Sequence, residues 1–364
     1  MTITNTSVIK KTLLIFLVIA GLIFAKAFLI PLFIGSILAT LFIPFSNLLE
    51  KYGIPKVLAA FICLLTLVLI MSGLVALLAW KIAELVNDVE LIKQKAIASG
   101  VEAQEYIFNH LGISVEQQSN ILKQEQPSLS SIMQLTFSSI TSLITNLILL
   151  LAYVFFLLYY RKHIKQFFLK LAKPAQQQEM SEILSKATHV SQQYLFGLSK
   201  MIVCLWIMYS IGFSILGVKN AIFFAILCGL LEIVPFVGNI TGTTLTVLVT
   251  ALHSAPLSVL GGIVAVYGTV QFIQGWVLEP LILGPQVKIN PLFTIIALVV
   301  GELIWGVPGI ILAIPLTAIL KIVCDHIESL KPYGFLIGEI EYENQENTLL
   351  TKLNKQILKL SKRK

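Results

Sequence analysis

The sequence predicts an all-α, polytopic integral membrane protein, and three observations carry that class. Of its 364 residues, 57% are hydrophobic and 12% charged, against about 45–50% and about 25% in an average soluble domain. The apolar residues fall in runs of about 20, the length a bilayer requires and more than a soluble core can use. Nearly all the polar chain lies between those runs, so helical bonds must satisfy the backbone inside them. Barrel strands would instead alternate in short segments.

About eight membrane segments follow in order. The first apolar stretch runs from Thr12 to Phe45. As one straight helix it would measure about 50 Å, well beyond the hydrocarbon thickness. Lys26 and Pro31 interrupt it, which splits it into spans at 12–28 and 29–46. No small-residue cleavage pattern followed by polar sequence occurs there, so it reads as an anchor and not as a removed signal. The third span, 57–80, ends on the interfacial pair Trp80 and Lys81. A fourth covers 138–160, a fifth 200–217, a sixth 221–251, a seventh 257–279 and an eighth 291–323. The sixth is broken near Pro235–Gly238, and the eighth near Gly306–Gly309 and at Pro315.

Six regions result: membrane spans in 1–80, a polar helical insert in 81–136, a span in 137–160, a basic helical segment in 161–199, a permease core in 200–325 and a basic amphipathic tail in 326–364. The insert is acidic and the 161–199 segment basic, so lysine and arginine bias puts the first outside and the second in the cytoplasm. Eight crossings starting from cytoplasmic Lys10 and Lys11 return the C-terminus to the cytoplasm. The tail places Leu349, Leu353, Ile357 and Leu360 on one helical face, which suits anionic lipid.

Several chemistries find no support. There is no G-x-x-x-x-G-K-[ST] phosphate loop and no nucleotide-binding signature, so ATP hydrolysis does not drive this protein. Cys63, Cys204, Cys228 and Cys324 all sit in apolar runs without metal-ligand spacing, and the five histidines are scattered. His253 and Ser254 lack a third partner. No enzyme activity, cofactor, metal or nucleic-acid partner is expected.

The informative residues are acidic groups and helix breakers inside apolar sequence. GLLEIVPFVGN covers 229–239 and GELIWGVPG covers 301–309. A carboxylate in such a run costs roughly 2.5–3.5 kcal/mol on insertion scales. Proline removes a backbone donor and glycine lets the chain turn, so Glu232, Pro235, Gly238 and Asn239 describe non-helical backbone at membrane depth. Such backbone is tolerated only when buried in protein or lining a wet cavity. Glu302, Gly306 and Pro308 describe a second break, and breaks at matching places point to a transporter's binding region. Glu232 could equally cap a helix or pair with a cation in a structural re-entrant hairpin. Glu279, before Pro280, closes the seventh span at the membrane face. Gln271 and Gln274 lie one turn apart on that span, with Gln286 and Asn290 beyond. They fit a pathway-facing stripe or helix–helix hydrogen bonding.

These residues resemble the autoinducer-2 exporter family of bacterial membrane permeases. The likeness is carried by Tyr194-Leu195-Phe196-Gly197, by EIVPFVG at 232–238, by Glu279-Pro280, Gly284 and Asn290-Pro291, and by Gly301, Gly306, Gly309 and Pro315. Asn239 departs from it, since the family often has proline there. The resemblance implies transport of a small polar signalling molecule or metabolite, or sodium–proton exchange, and it implies a homo-oligomer. The reading is therefore a permease of the bacterial inner membrane, held in the lipid bilayer. Its partners are a small polar solute, a monovalent cation or a proton. A cation antiporter and a non-transporting scaffold are the alternatives. Dye dequenching on sodium addition would mark the first, and dependence on the 81–136 insert alone would mark the second.

Overall fold

The computed structural model describes residues 5–87, 129–235, 237–253, 255–283 and 288–339. The expected insert and the amphipathic tail therefore lie largely outside the described residues. Helix α1 (Asn5–Phe24) and α2 (Lys26–Lys51) meet at Ala25. The split falls where Lys26 stands, but Pro31 is not its cause. Pro31 is buried inside α2, where it removes one backbone bond early in a helix that continues past it. Helix α3 (Lys56–Asn87) ends near the expected anchor, with the Lys81 ammonium 4.8 Å from the Trp80 ring centroid. Helix α4 (Leu129–Leu171) follows.

Helices α2, α3 and α4 form one bundle around Ala39, Phe42, Ala60, Cys63, Leu67, Val154 and Leu158. Small residues let these helices approach closely, the usual means of packing in lipid. Arg161 closes the end of this bundle. Its guanidinium donates to Ser46 Oγ (2.6 Å), Asn47 Oδ1 (2.8 Å) and Glu50 Oε1 (2.5 Å).

A three-residue turn at Pro174–Gln176 leads into α5 (Gln177–Ile215), one continuous helix. At about 1.5 Å per residue it is nearly 60 Å long, so its first half extends beyond any single crossing. Its second half, with α6 (Ala221–Leu231), α7 (Val237–Leu252) and α8 (Leu257–Ile273), encloses the larger core. That core includes Leu205, Tyr209, Phe213, Phe224, Cys228 and Ile263. The chain widens after α8 into a π-helical segment, Gln274–Leu283, with Pro280 inside it. Helices α9 (Pro291–Trp305), α10 (Val307–His326) and α11 (Lys331–Ile337) complete the described chain.

Among the described residues, six helices are long and apolar enough to cross a membrane: α2, α3, the apolar part of α4, α5, α8 with its π-helical extension, and α10. The sixth and eighth crossings read from the sequence take a different form. Helices α6 and α7 are an antiparallel pair, with Gly242 packed on Cys228 and Gly238 on Leu231. The pair starts and ends at the same end of the bundle, because Leu216 before α6 packs on Gly262 at the start of α8. Helices α9 and α10 double back likewise, with Gly301 against Gly309. The start of α9 is tied to the end of α11: the Asn290 amide donates to the carbonyls of Leu336 (2.8 Å) and Gly338 (3.0 Å). Each pair is a helical hairpin in place of the single broken crossing read from the sequence. The reason is length: α6 has 11 residues and α9 has 15, about 16 and 22 Å against a hydrocarbon core of about 30 Å. Pro315, expected as a further break, is buried within an unbroken α10.

Candidate functional site

The α6–α7 hairpin builds a polar cluster in the interior of the larger core. Helix α6 ends at Leu231, and Glu232 is its C-terminal cap, with its N–H donating to the Cys228 carbonyl at 3.1 Å. Pro235 cannot continue a helical ladder, so the chain crosses between the two helices there. Gly238 then seats the first turn of α7 directly on the end of α6. A Cβ at Gly238 would collide with the Leu231 carbonyl. That close approach brings Glu232 and Asn239 side by side.

Gln274, the first residue of the π-helical segment, completes the cluster. Its Nε2 donates to Glu232 Oε1 at 2.5 Å and lies 3.3 Å from Glu279 Oε1. Its Oε1 accepts from Asn239 Nδ2 at 3.4 Å. Glu232 is 4% exposed, Gln274 2% and Asn239 not at all. Glu279 is exposed. π-helical turns recur at functional sites; here the wider turn carries both Gln274 and Glu279, five residues apart. Two carboxylates thus share one amide donor. Among the described residues no lysine, arginine or histidine forms an ion pair with either. A buried carboxylate without a cation is costly and usually marks a site.

Four buried side-chain atoms lack a partner among the described residues: Tyr209 OH, Glu232 Oε2, Asn239 Oδ1 and Thr243 Oγ1. Buried polar atoms are nearly always paired, so their concentration in one neighbourhood needs an explanation. Thr243 follows Asn239 by one turn of α7, and Tyr209 of α5 is within electrostatic range of Glu232. The same face of α7 continues through Thr246 and Thr250, both buried. Thr246 Oγ1 donates to the Gly242 carbonyl (2.8 Å) and faces Cys228 Sγ at 3.9 Å.

The sequence-derived residues therefore divide. Glu232, Asn239, Gln274 and Glu279 come together, framed by Pro235 and Gly238. Gln271 is half-buried one turn before Gln274 and does not join their hydrogen bonds. Glu302, Gly306 and Pro308 belong to the other hairpin, and Glu302 is exposed on α9. That hairpin's tip reaches the α1–α2 corner, where Trp305 Nε1 donates to the Leu22 carbonyl at 2.9 Å and its ring lies 5.5 Å from Phe33. The two motifs thus occupy two separate hairpins. Sequence reasoning also passed over Tyr209, Cys228, Thr243, Thr246 and Thr250. The signal was legible for the α7 residues: Asn239, Thr243, Thr246 and Thr250 recur at spacings of four, three and four, one face of a helix.

The family model of AI-2E family transporters matches residues 13–329. The chain belongs to the AI-2E transporter family. Among its relatives, YueF of Bacillus subtilis (strain 168) is 25% identical over 82% of this chain and 84% of its own length. The Escherichia coli (strain K12) AI-2 transport protein TqsA is 22% identical over 90% of this chain and 94% of its own. As an AI-2E family transporter with several apolar helices, the protein is a multi-pass protein of the bacterial inner membrane type. The family match spans both hairpins, the Glu232 cluster and all of α2 through α10.

Proposed function

We propose that the protein is a permease that moves a small polar solute, an autoinducer-2-like signalling molecule or metabolite, across the inner membrane without hydrolysing ATP. The observation that carries this reading is the buried Glu232–Gln274–Asn239 cluster at the tip of a re-entrant hairpin. The 11 residues of α6 set Glu232 about 16 Å below the start of the hairpin. If the hairpin enters at the membrane surface, that depth is about the middle of a hydrocarbon core of roughly 30 Å. Solute and ion sites of secondary transporters lie at that depth, on discontinuous helices. A relative carries the name AI-2 transport protein, which supports a polar signalling molecule as cargo. Lysine and arginine bias supports a cytoplasmic position for both termini.

The test is flux in proteoliposomes containing no ATP, with autoinducer-2 as the probe solute. Glu232→Gln keeps the shape and the bond to Gln274 but removes the charge. Flux should fall by about tenfold or more, the scale on which losing a charged hydrogen-bonding group acts. Wild-type flux matched by Glu232→Gln would remove this cluster from the transport path. A chain that moves no solute under any gradient would favour the scaffold reading.

A further inference from the structure

Helix α4 continues past the level at which its own bundle closes. The Arg161 guanidinium, held by Ser46, Asn47 and Glu50, marks that level. The helix runs on for ten residues to Leu171, which adds about 15 Å. The polar layer on each side of a hydrocarbon core is only about 5–8 Å thick. These last turns are nevertheless amphipathic. Phe156, Tyr160, Phe167 and Leu171 are all exposed, Phe167 by 58% and Leu171 by 70%. Their spacings of four, seven and four put them on one face of the helix. The exposed apolar face of the span therefore carries on beyond Arg161. Lys162, Lys165 and Lys170 lie round the helix from that face and are exposed, and an exposed Lys173 follows in the turn. From 161 to 178 the chain holds five lysines and arginines and no acid. Glu50 pairs with Arg161 and Lys162. Among the described residues, Lys165, Lys170 and Lys173 make no ion pair.

An occupant of this surface must be apolar where it meets Phe167 and Leu171 and negative where it meets the lysines. The 349–364 tail offers leucines but brings six lysines and arginines and no acid, so like charge repels it. The acidic 81–136 insert is expected on the opposite side of the membrane by lysine and arginine bias. We infer that the end of α4 is a docking surface for anionic phospholipid. The helix leans into the interface, Phe167 and Leu171 sit among the upper acyl chains, and Lys165, Lys170 and Lys173 reach the lipid phosphates. Lysines on one face with Phe and Leu on the other are the composition of interfacial helices. Their stems cover apolar surface while the ammonium groups stay at the headgroups. At 43 residues α4 is about 64 Å long, too long to cross upright, and long spans are accommodated by tilt. Tilt toward its exposed face lowers Phe167 and Leu171 onto the bilayer. The bound lipid then anchors the corner at Pro174–Gln176, from which α5 sets out.

Quenching of a fluorophore at this surface tests the inference. Phe167→Trp places an indole there and keeps an aromatic ring. The signal of the four native tryptophans is subtracted using the unsubstituted chain. The full chain is reconstituted in phosphatidylcholine vesicles, with brominated phosphatidylglycerol or brominated phosphatidylcholine as quencher. Phosphatidylglycerol should associate about fivefold more strongly, the effect of about one lysine at an anionic surface. The preference should shrink at high salt. Lys165→Gln, Lys170→Gln and Lys173→Gln combined should bring the two lipids near parity, with melting curves establishing that the chain is folded. Leu171→Trp replaces the reporter if Phe167→Trp does not fold, and the single lysine variants, each expected to lower the preference, replace the triple one. The inference is overturned if both lipids quench equally in the reporter with its lysines intact, or if the folded lysine variants keep the full preference. Two other occupants would show themselves and overturn it as well. Quenching by neither lipid until the protein is diluted in the bilayer means that a second copy covers the face. A preference abolished by an equal concentration of soluble glycerol phosphate means that the headgroup anion binds without its acyl chains.

Discussion

The two helical hairpins carry similar sequence and hold it in opposite surroundings. Each has an acidic residue, a proline and glycines around its turn. At α6–α7 the acid is inside: Glu232 is almost fully buried and bonded to a glutamine from another element. At α9–α10 the acid is outside: Glu302 is exposed, and its backbone carbonyl, not its carboxylate, closes the turn by accepting from Gly306 N–H at 2.7 Å. The glycines differ too. Gly238 is required by space, because the Leu231 carbonyl occupies the place of a Cβ. Gly306 has nothing within 4 Å of that place, but its φ of +64° with ψ of −142° is open essentially to glycine alone. The lesson is that a shared motif specifies a turn in the membrane, while the packing of neighbours decides whether its acid can do chemistry.

The comparison can be pressed hardest at the two glycines. Gly238→Val should force α7 off α6, costing about 1–3 kcal/mol as overpacking does. Because this also moves Asn239 from Glu232, flux should fall further than the loss of folded protein explains. Gly306→Ala should cost about 1–3 kcal/mol of backbone strain, with flux per folded molecule retained. Melting temperature and flux, normalised to folded protein, read both. Equal flux loss in the two would mean that the hairpins act as one unit.

A smaller effect is expected at the second acid. Glu302→Gln should change flux by about twofold or less, the range of a substitution away from a site. A loss as large as that of Glu232→Gln would break the comparison and place Glu302 on the path, for instance against a second copy of the chain.

The smallest effect concerns the connection after α10, outside both hairpins. Glu328 Oε1 accepts from Lys331 Nζ at 2.7 Å. That bond and the adjacent charge hold the Glu328 carboxyl below its ordinary value. A lowered folded-state value contributes stability above the unfolded value and loses it as pH falls through the folded one. Both groups are exposed, so the contribution is slight. Lys331→Gln should leave melting at neutral pH unchanged and slightly flatten its decline in the acid range below the ordinary carboxyl value. A clear loss at neutral pH would contradict a screened surface pair.

Much of the site was legible before any coordinates. Glu232, Asn239, Gln274 and Glu279 stood out because polar residues in long apolar runs are expensive and few. Thr243 and Thr246 did not, since threonine is cheap in a helix when its hydroxyl bonds the preceding turn, as Thr246 does. Tyr209 was hidden because tyrosine is common in apolar helices. The break in the first stretch was readable from its length, though its position was better marked by Lys26 than by Pro31. A proline early in a helix costs one bond, and neighbouring helices can cover that cost.

By itself the sequence determined the membrane class, the helical spans, the two interruptions and the list of expensive polar residues. Each follows from local quantities: hydropathy, run length and backbone chemistry. Only the tertiary structure decided that the interruptions are hairpins lying apart, that Glu232 is enclosed and Glu302 is not, and that Gln274 stands between two carboxylates. Those facts depend on which surfaces meet. A carboxylate's surroundings are set by neighbours as distant as the 42 residues between Glu232 and Gln274, and local patterning carries no record of them.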